Sequence, residues 1–167
     1  MVVGIAEYFL ARPVRSVLDV GAGEGAWRRA LRRLRPGIRY LGIDPSEYVV
    51  ERFGVRRNIK LGEFDSVAEH AGDRTFDLVV CADVLQYVKP APLREGLAQI
   101  AERLEGVAFL EAHTTADALV GDKRGWYRRT PGFYRRLLGR FGLVHCGPHC
   151  WLGEALLAEA SAFERSS

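Results

Sequence analysis

One stretch of the sequence decides the fold: Ser16-Val17-Leu18-Asp19-Val20-Gly21-Ala22-Gly23-Glu24-Gly25-Ala26-Trp27. A short apolar run meets three alternating glycines, and an amphipathic helix pattern follows at once. A strand that turns through glycines into a helix brings free backbone N–H groups to the helix N-terminus. Glycine also lets a ligand approach the main chain closely, because it has no Cβ. The stretch therefore predicts a site for a nucleotide cofactor.

Strand and helix patterns alternate on both sides of this stretch. Apolar runs predict strands at 16–20, 38–43, 58–61, 76–81 and 107–111, and two late strands at 143–146 and 155–160. Helical spacing predicts helices at 2–11, 27–35, 46–53, 93–104 and 131–141. In the second helix the residues predicted to face the core are Trp27, Ala30, Leu31 and Leu34. Thr130-Pro131 is the predicted cap and start of the last helix. The pattern predicts an α/β fold: a doubly wound, mainly parallel seven-stranded sheet with helices on both faces and an antiparallel C-terminal hairpin. We expect one domain spanning residues 1–167.

Composition narrows the class of protein. The chain has 167 residues, 48% of them hydrophobic, and a net charge of only +3, which disfavours nucleic acid as a partner. No run approaches the roughly 18 apolar residues of a membrane span, and the first ten residues lack a basic leader. Three cysteines do not form a disulfide framework. These features predict a cytoplasmic protein without a membrane segment.

Two cofactor classes are compatible with the glycines. The dinucleotide formula is met by Gly21, Gly23 and Ala26, with Asp44 at the acidic position. Asp19, however, places a carboxylate where it would repel a pyrophosphate. That carboxylate suits the ammonium and sulfonium groups of S-adenosylmethionine instead. The charge pattern favours S-adenosylmethionine, and an NAD(P)-binding oxidoreductase is the alternative.

Four motifs in order support this choice: segments 17–25, 40–46, 62–64 and 76–88. With them the sequence resembles the class I S-adenosylmethionine-dependent methyltransferases of the small-molecule type, closely over residues 14–112. The resemblance implies that S-adenosylmethionine is the cofactor and S-adenosylhomocysteine the product. It implies cofactor contacts at Asp19, Gly21, Ala22, Gly23, Gly25, Asp44, Pro45, Glu63, Phe64, Asp83, Val84 and Leu85.

The resemblance also implies a role for individual positions. Asp19 would hold the amino group of the cofactor, directly or through water, and Asp44 would accept hydrogen bonds from the ribose hydroxyls. Glu63 would meet the adenine amino group, with Phe64 against the ring. The family more often carries Asp at the position of Glu63, so Asp65 is a second candidate. Segment 83–85 would line the methyl-donor end.

Methyl transfer requires mainly alignment, and a general base only when the acceptor arrives protonated. The catalytic candidates are His113, Tyr87 and Asp83; Tyr87 stands where many small-molecule members carry histidine. Segment 113–134 is a candidate acceptor lid. Its candidate substrate-binding residues are Trp126, Tyr127, Arg128 and Tyr134, and Arg124 and Arg129 are further candidates to pair with an acidic substrate.

Two motifs that are missing from the sequence limit the classes of methyl acceptor. The tetrad of adenine and amide methyltransferases and the Pro-Cys pair of cytosine enzymes are both absent after the fourth strand. We also expect no separate recognition domain. The primary hypothesis is therefore that the methyl acceptor is a small molecule, which could be linked to a carrier or carry an acidic group. The alternatives are an RNA methyltransferase, using arginines in 28–35 and 124–140, and a catalytically silent binding protein. The oligomeric state stays open.

One cluster invites a metal hypothesis: His145-Cys146-Gly147-Pro148-His149-Cys150. A tetrahedral zinc site draws its ligands from two separated pairs, and the sequence contains no second cluster. We therefore predict an edge hairpin with small buried cysteines and no metal.

Overall fold

The computed structural model describes residues 1–118 and 124–160. Its strands form one sheet in the order β3-β2-β1-β4-β5-β7-β6. The strands are β1 (Ser16–Val20), β2 (Arg39–Asp44), β3 (Ile59–Leu61), β4 (Phe76–Ala82), β5 (Leu104–Glu111), β6 (Val144–Gly147) and β7 (Cys150–Leu152). The first five are parallel, and β7 is antiparallel to both β5 and β6. The predicted fold class is confirmed.

Helices connect these strands. They are α1 (Val2–Leu10), α2 (Ala26–Leu34), α3 (Glu47–Val49), α4 (Val55–Arg57), α5 (Val67–Ala71), α6 (Pro90–Arg103) and α7 (Pro131–Gly139). A π-helical turn, Val50–Gly54, joins α3 to α4, and Leu85–Tyr87 and Glu154–Leu156 are 3₁₀ turns. Thr130 caps α7, since its side chain accepts a hydrogen bond from the backbone N–H of Phe133.

The sheet is buried on both faces. On one face Leu97 of α6 and Leu137 of α7 join a cluster with Leu18 of β1. On the other face Ala6 of α1 and Leu31 of α2 pack with Val17, the neighbouring residue of β1. Successive strand residues point to opposite faces, so β1 anchors both layers.

Two predicted details are wrong. The last strand lies at β7, not at 155–160, because His149 adopts the left-handed conformation (φ 57°) and closes a tight turn directly after β6. Of the apolar positions predicted to face the core on α2, Leu31 is buried but Ala30 is exposed and Leu34 is 57% exposed. Leu34 is the last residue of α2, where the helix ends and the chain turns away.

The strand order places the functional edge. Connections run outward in opposite directions from β1 and β4, which are neighbours. In sheets of this kind ligands bind in the crevice outside the carboxyl ends of the strands at such a reversal. The segments that follow β1 and β4 are Gly21–Gly25 and 83–88.

Candidate active site

The glycine turn after β1 is built from left-handed backbone. Gly21, Gly23 and Gly25 have φ values of 75°, 50° and 72°, which residues with a Cβ rarely adopt. The backbone N–H groups of Gly21 and Ala22 donate to the carbonyl of Ile43, at 2.8 and 3.0 Å. The turn is therefore tied to the end of β2.

Asp44, the last residue of β2, is held against this turn. Its Oδ2 accepts from the backbone N–H of Gly23 at 2.7 Å, and its Oδ1 accepts from that of Ser46 at 3.0 Å. Each carboxylate oxygen can accept a further hydrogen bond. A Cβ added at Gly23 would meet no atom within 4 Å, so open space lies beside a fixed carboxylate. The neighbouring Pro45 is exposed.

Asp19 lies beneath the turn and is only 1% exposed. Its Oδ2 accepts from the hydroxyl of Tyr40 at 2.5 Å. Burial raises the pKa of Asp19 to about 7, against the opposing effect of the Tyr40 hydrogen bond, and the charge of Asp44 adds to the rise. Asp19 is therefore a buried carboxyl group poised between its neutral and charged forms near neutral pH.

The segment after β4 closes the crevice from the other side. Asp83 has φ 61°, and its backbone N–H donates to the carbonyl of Glu111 at 3.1 Å. Val84 lies directly over Gly21: a Cβ at Gly21 would be 2.2 Å from Val84 Cγ2. Leu85 is buried, at 1% exposure. The structure thus places the segment after β4 against the glycine turn after β1.

His113 and Asp83 form a pair at this edge, with His113 Nε2 3.3 Å from Asp83 Oδ1. Gln86, which is fully buried, donates from Nε2 to the same Asp83 oxygen at 2.5 Å. Its side-chain oxygen accepts from the backbone N–H of His113 at 3.4 Å. Tyr87, the third catalytic candidate, is 42% exposed on the neighbouring 3₁₀ turn. Sequence reasoning missed Gln86; the signal was its spacing of three residues from Asp83, within one turn.

The third motif, segment 62–64, contains one exposed and one buried side chain among the predicted cofactor contacts. Glu63 is exposed and Asp65 is half-buried. Phe64 is only 6% exposed and packs against Gly96 of α6, where a Cβ would approach its ring atom Cδ1 to 2.4 Å. Most of the Phe64 surface is therefore committed to the core, and Glu63 is the accessible polar group of this motif.

A groove of about 700 Å³ opens beside the crevice, between α7 and the β6–β7 hairpin. Its apolar wall includes Leu85, Leu110, Tyr134, Leu138 and Trp151, and His145, His149, Arg135 and Asp117 contribute polar atoms. Leu85 directly follows Val84, so the groove continues from the segment that covers Gly21. Its volume is typical of a small-molecule site.

The candidate lid docks back onto the turn after β4. Arg129 is 7% exposed and donates to the carbonyls of Leu85 and Val88, at 2.8 and 2.7 Å. The prediction that Arg129 pairs with an acidic substrate is therefore wrong, because its guanidinium holds the backbone. Residues 119–123 of the candidate lid lie outside the described residues.

The four predicted substrate-binding residues separate in the structure. Tyr134 is buried in the wall of the groove. The backbone N–H of Tyr127 donates to the carbonyl of Gln86 at 2.8 Å, and the exposed Arg128 lies 6.0 Å from the ring centroid of Trp126. Trp126, Tyr127 and Arg128 directly precede Arg129 in the sequence.

The His/Cys cluster 145–150 lies on β6, on β7 and on the turn between them. Cys150 is buried, Cys146 is half-buried, and the ring of His145 lies 5.2 Å from that of Trp151. Within 1–118 and 124–160, no three His, Cys, Asp or Glu side chains are grouped to hold a metal ion. Over the same residues, no helix has the length and apolar character needed to cross a membrane.

The residues at the crevice fit S-adenosylmethionine. The diol of a ribose matches the remaining acceptor capacity of Asp44, and the open space beside Gly23 leaves room for a ligand against the backbone. The negative charge available from Asp19 and Asp44 suits a cation, not a pyrophosphate. The geometry therefore favours this cofactor over NAD(P).

Comparisons with solved structures agree with this fold. An S-adenosylmethionine-dependent methyltransferase from Archaeoglobus fulgidus matches with TM-score 0.66 and 19% identity, over 77% of this chain and 61% of that one. An O-methyltransferase of a polyketide synthase from Brevibacillus brevis, in complex with S-adenosyl-L-homocysteine, gives 0.63 and 19%, over 84% and 52%. The plantazolicin methyltransferase BamL gives 0.68 and 15%, over 83% and 58%.

The chain thus spans about half to three fifths of the length of these solved proteins. No curated protein sequence matches it significantly. The model of one family, described as a methyltransferase domain, matches residues 4–153. The chain therefore belongs to the methyltransferase domain family.

Proposed function

We propose that this domain binds S-adenosylmethionine at the glycine turn and methylates a small molecule held in the groove between α7 and the β6–β7 hairpin. The observation that carries the proposal is Asp44, fixed 2.7 Å from the Gly23 N–H and beside open space. Two solved neighbours, the Brevibacillus enzyme and BamL, are described with S-adenosylhomocysteine.

Each part of the crevice has a role in this proposal. Asp44 accepts hydrogen bonds from the ribose hydroxyls, and Glu63 meets the adenine amino group. Asp19 supplies negative charge from beneath the turn. When bound, the cofactor supplies a methyl group that its sulfonium has already activated. The glycines allow close approach of the ligand to the backbone, and Val84 limits the space at the donor end.

The groove supports a small-molecule acceptor. Its volume of about 700 Å³ and its apolar wall suit a ligand with an apolar body. Leu85 connects it to the donor end, so an acceptor in the groove can reach the crevice. BamL is described as a plantazolicin methyltransferase in complex with a triazolic desmethylPZN analogue, which agrees with an acceptor of this class. A cytoplasmic location, compatible with the free cysteines, is part of the same proposal.

His113 is the proposed general base. In this proposal Nε2, which lies 3.3 Å from Asp83 Oδ1, carries the proton that faces this carboxylate. The lone pair of Nδ1 is then left to take a proton from an acceptor hydroxyl. Gln86 positions Asp83 for this, because it bonds both Asp83 and the backbone of His113. Tyr87 is not needed for this step.

We expect Asp44→Ala to weaken binding of S-adenosylhomocysteine at least tenfold, because a buried acceptor of ligand hydrogen bonds is lost. Isothermal titration calorimetry measures this against a wild-type dissociation constant on the order of micromolar. Asp73→Ala, which removes an exposed aspartate, is the control and should bind as the wild type does. Unchanged affinity in Asp44→Ala would place the ribose elsewhere, and absence of wild-type binding would overturn the proposed function.

We expect His113→Gln to slow methylation of phenols by about 10²-fold or more, because such acceptors must lose a proton. Carboxylic acids of similar shape are already ionised at neutral pH and should react at the wild-type rate. The measurement is transfer of labelled methyl to matched panels of apolar phenols and apolar carboxylic acids. Two results would contradict the role of His113 as a base. One is an equal loss of rate on both panels, and the other is a rate of phenol methylation by the variant that still falls at acid pH as in the wild type. Cofactor binding without transfer to any acceptor would favour a silent binding protein.

A further inference from the structure

A second groove lies on the opposite face of the sheet, where α2 packs. Its volume is about 390 Å³, and five arginines line it, together with Glu24, Gly25 and Ala26: Arg28, Arg29, Arg32, Arg33 and Arg57. We call it the arginine groove. The proposed methyl transfer uses none of these arginine side chains.

Both walls of the arginine groove are built by the fold. On α2, Arg28 and Arg32, like Arg29 and Arg33, are four residues apart, so each pair lies on one face, about 6 Å apart along the axis. Arg57 faces them from the end of α4. Its guanidinium lies 4.1 Å from the ring centroid of Phe53 and donates to the carbonyl of Glu24. The opposing wall is therefore held in place.

Within the part of the chain that the structure describes, the five arginines form no ion pairs, although Glu24 also lines the groove. Arg35, at the end of the same helix, bonds Glu7 at 2.7 Å, and Arg12 bonds Asp77 at 2.7 Å. Burial lowers the pKa of Arg28, and the positive charges of Arg32 and Arg57 lower it further. A bound anion would lower the electrostatic repulsion between these positively charged side chains.

The ligand chemistry follows from the lining. Guanidinium groups bind phosphate oxygens through paired hydrogen bonds. Two rows of them on α2, with Arg57 opposite, suit several linked negative charges. A volume of about 390 Å³ is that of a small-molecule site. We propose that the arginine groove binds a compact ligand with two or more linked phosphate groups.

This site is distinct from the cofactor crevice, although both use the glycine turn. A Cβ at Gly25 would lie 3.2 Å from Arg57 Cδ, whereas a Cβ at Gly21 would meet Val84. The two ends of the turn thus face different surroundings. We therefore expect a phosphate ligand and S-adenosylhomocysteine to bind at the same time.

The test uses inorganic tripolyphosphate and titration calorimetry at low and at physiological salt. We expect saturable binding of one equivalent, weakened at least tenfold in Arg29→Gln/Arg33→Gln and also weakened in Arg57→Gln, which alters the other wall. Arg136→Gln/Arg140→Gln removes two exposed arginines at the same spacing on and just after α7. This matched pair should bind within twofold of the wild type, as should protein saturated with S-adenosylhomocysteine. Circular dichroism checks that each variant is folded.

Several results would overturn the proposal. If tripolyphosphate does not bind saturably, the groove is not a binding site. If Arg136→Gln/Arg140→Gln weakens binding as much as Arg29→Gln/Arg33→Gln does, the effect comes from net charge and not from the groove. Competition with S-adenosylhomocysteine would place the anion in the cofactor crevice. A twelve-nucleotide single-stranded RNA that binds tenfold more tightly than tripolyphosphate, through the same arginines, would replace the compact ligand with a nucleic-acid surface.

Discussion

Replacing Gly21 by alanine is expected to destabilise the domain by about 3 kcal/mol and to weaken binding of S-adenosylhomocysteine at least tenfold. The backbone of Gly21 has φ 75°, which costs a residue with a Cβ roughly 1–2 kcal/mol. The new methyl would also lie 2.2 Å from Val84 Cγ2. Val84 must move, and the segment that closes the donor end moves with it.

Gly23→Ala is the matched control, because Gly23 also has positive φ but a Cβ there meets no atom within 4 Å. It should cost only the backbone penalty, about 1–2 kcal/mol, in urea unfolding. Adding Val84→Ala to Gly21→Ala should recover part of the lost free energy of unfolding, as a double-mutant cycle detects. Equal destabilisation in the two glycine variants, without recovery, would show that the Val84 contact is unimportant.

Asp19→Asn is expected to change the pH dependence of stability more than any other aspartate substitution. Asp19 has a pKa of about 7 in the folded protein, against an ordinary value of 3.8. The folded state therefore keeps its proton at pH values where the unfolded chain has lost it. Stability from this group is complete below about pH 4 and is lost as the pH rises through 7. The gap corresponds to about 4 kcal/mol.

The asparagine variant lacks this titration. As the pH rises from 4.5 to 8, the wild type loses the stability that protonated Asp19 contributes, whereas the variant does not. The free energy of unfolding of the variant minus that of the wild type should therefore increase by a few kcal/mol over this range. Urea unfolding at several pH values measures the difference. Asp73→Asn, at an exposed aspartate, should follow the wild-type curve. Parallel curves for Asp19→Asn and the wild type would mean that Asp19 is ionised throughout this range.

The same carboxyl group links pH to the proposed cofactor site. A cation bound near Asp19 favours its charged form, so binding should release a fraction of a proton near pH 7. Calorimetry of S-adenosylhomocysteine binding in buffers of different ionisation enthalpy detects that release. Asp19→Asn should abolish it, and an unchanged proton release in this variant would assign the effect to another group.

The core of the fold was predictable because its signals are local. Apolar runs, helical spacing and glycines act over a few residues, so β1, the glycine turn and the Thr130 cap of α7 follow from neighbouring side chains. The five-residue helix α5 was missed, since so short a segment shows no reliable period. The final strand was misplaced because His149, not glycine, takes the positive φ of the hairpin turn.

The sequence by itself determined the α/β order, the methyltransferase motifs and the acidic residue at the end of β2. Only the tertiary structure decided that Gln86 is buried between Asp83 and His113, that Arg129 holds backbone carbonyls, and that five arginines from two helices share one groove. The physical reason is that a polar side chain has the same local propensity whether it is solvated or buried. Its role depends on which distant segments pack around it, and that is set by the sheet order.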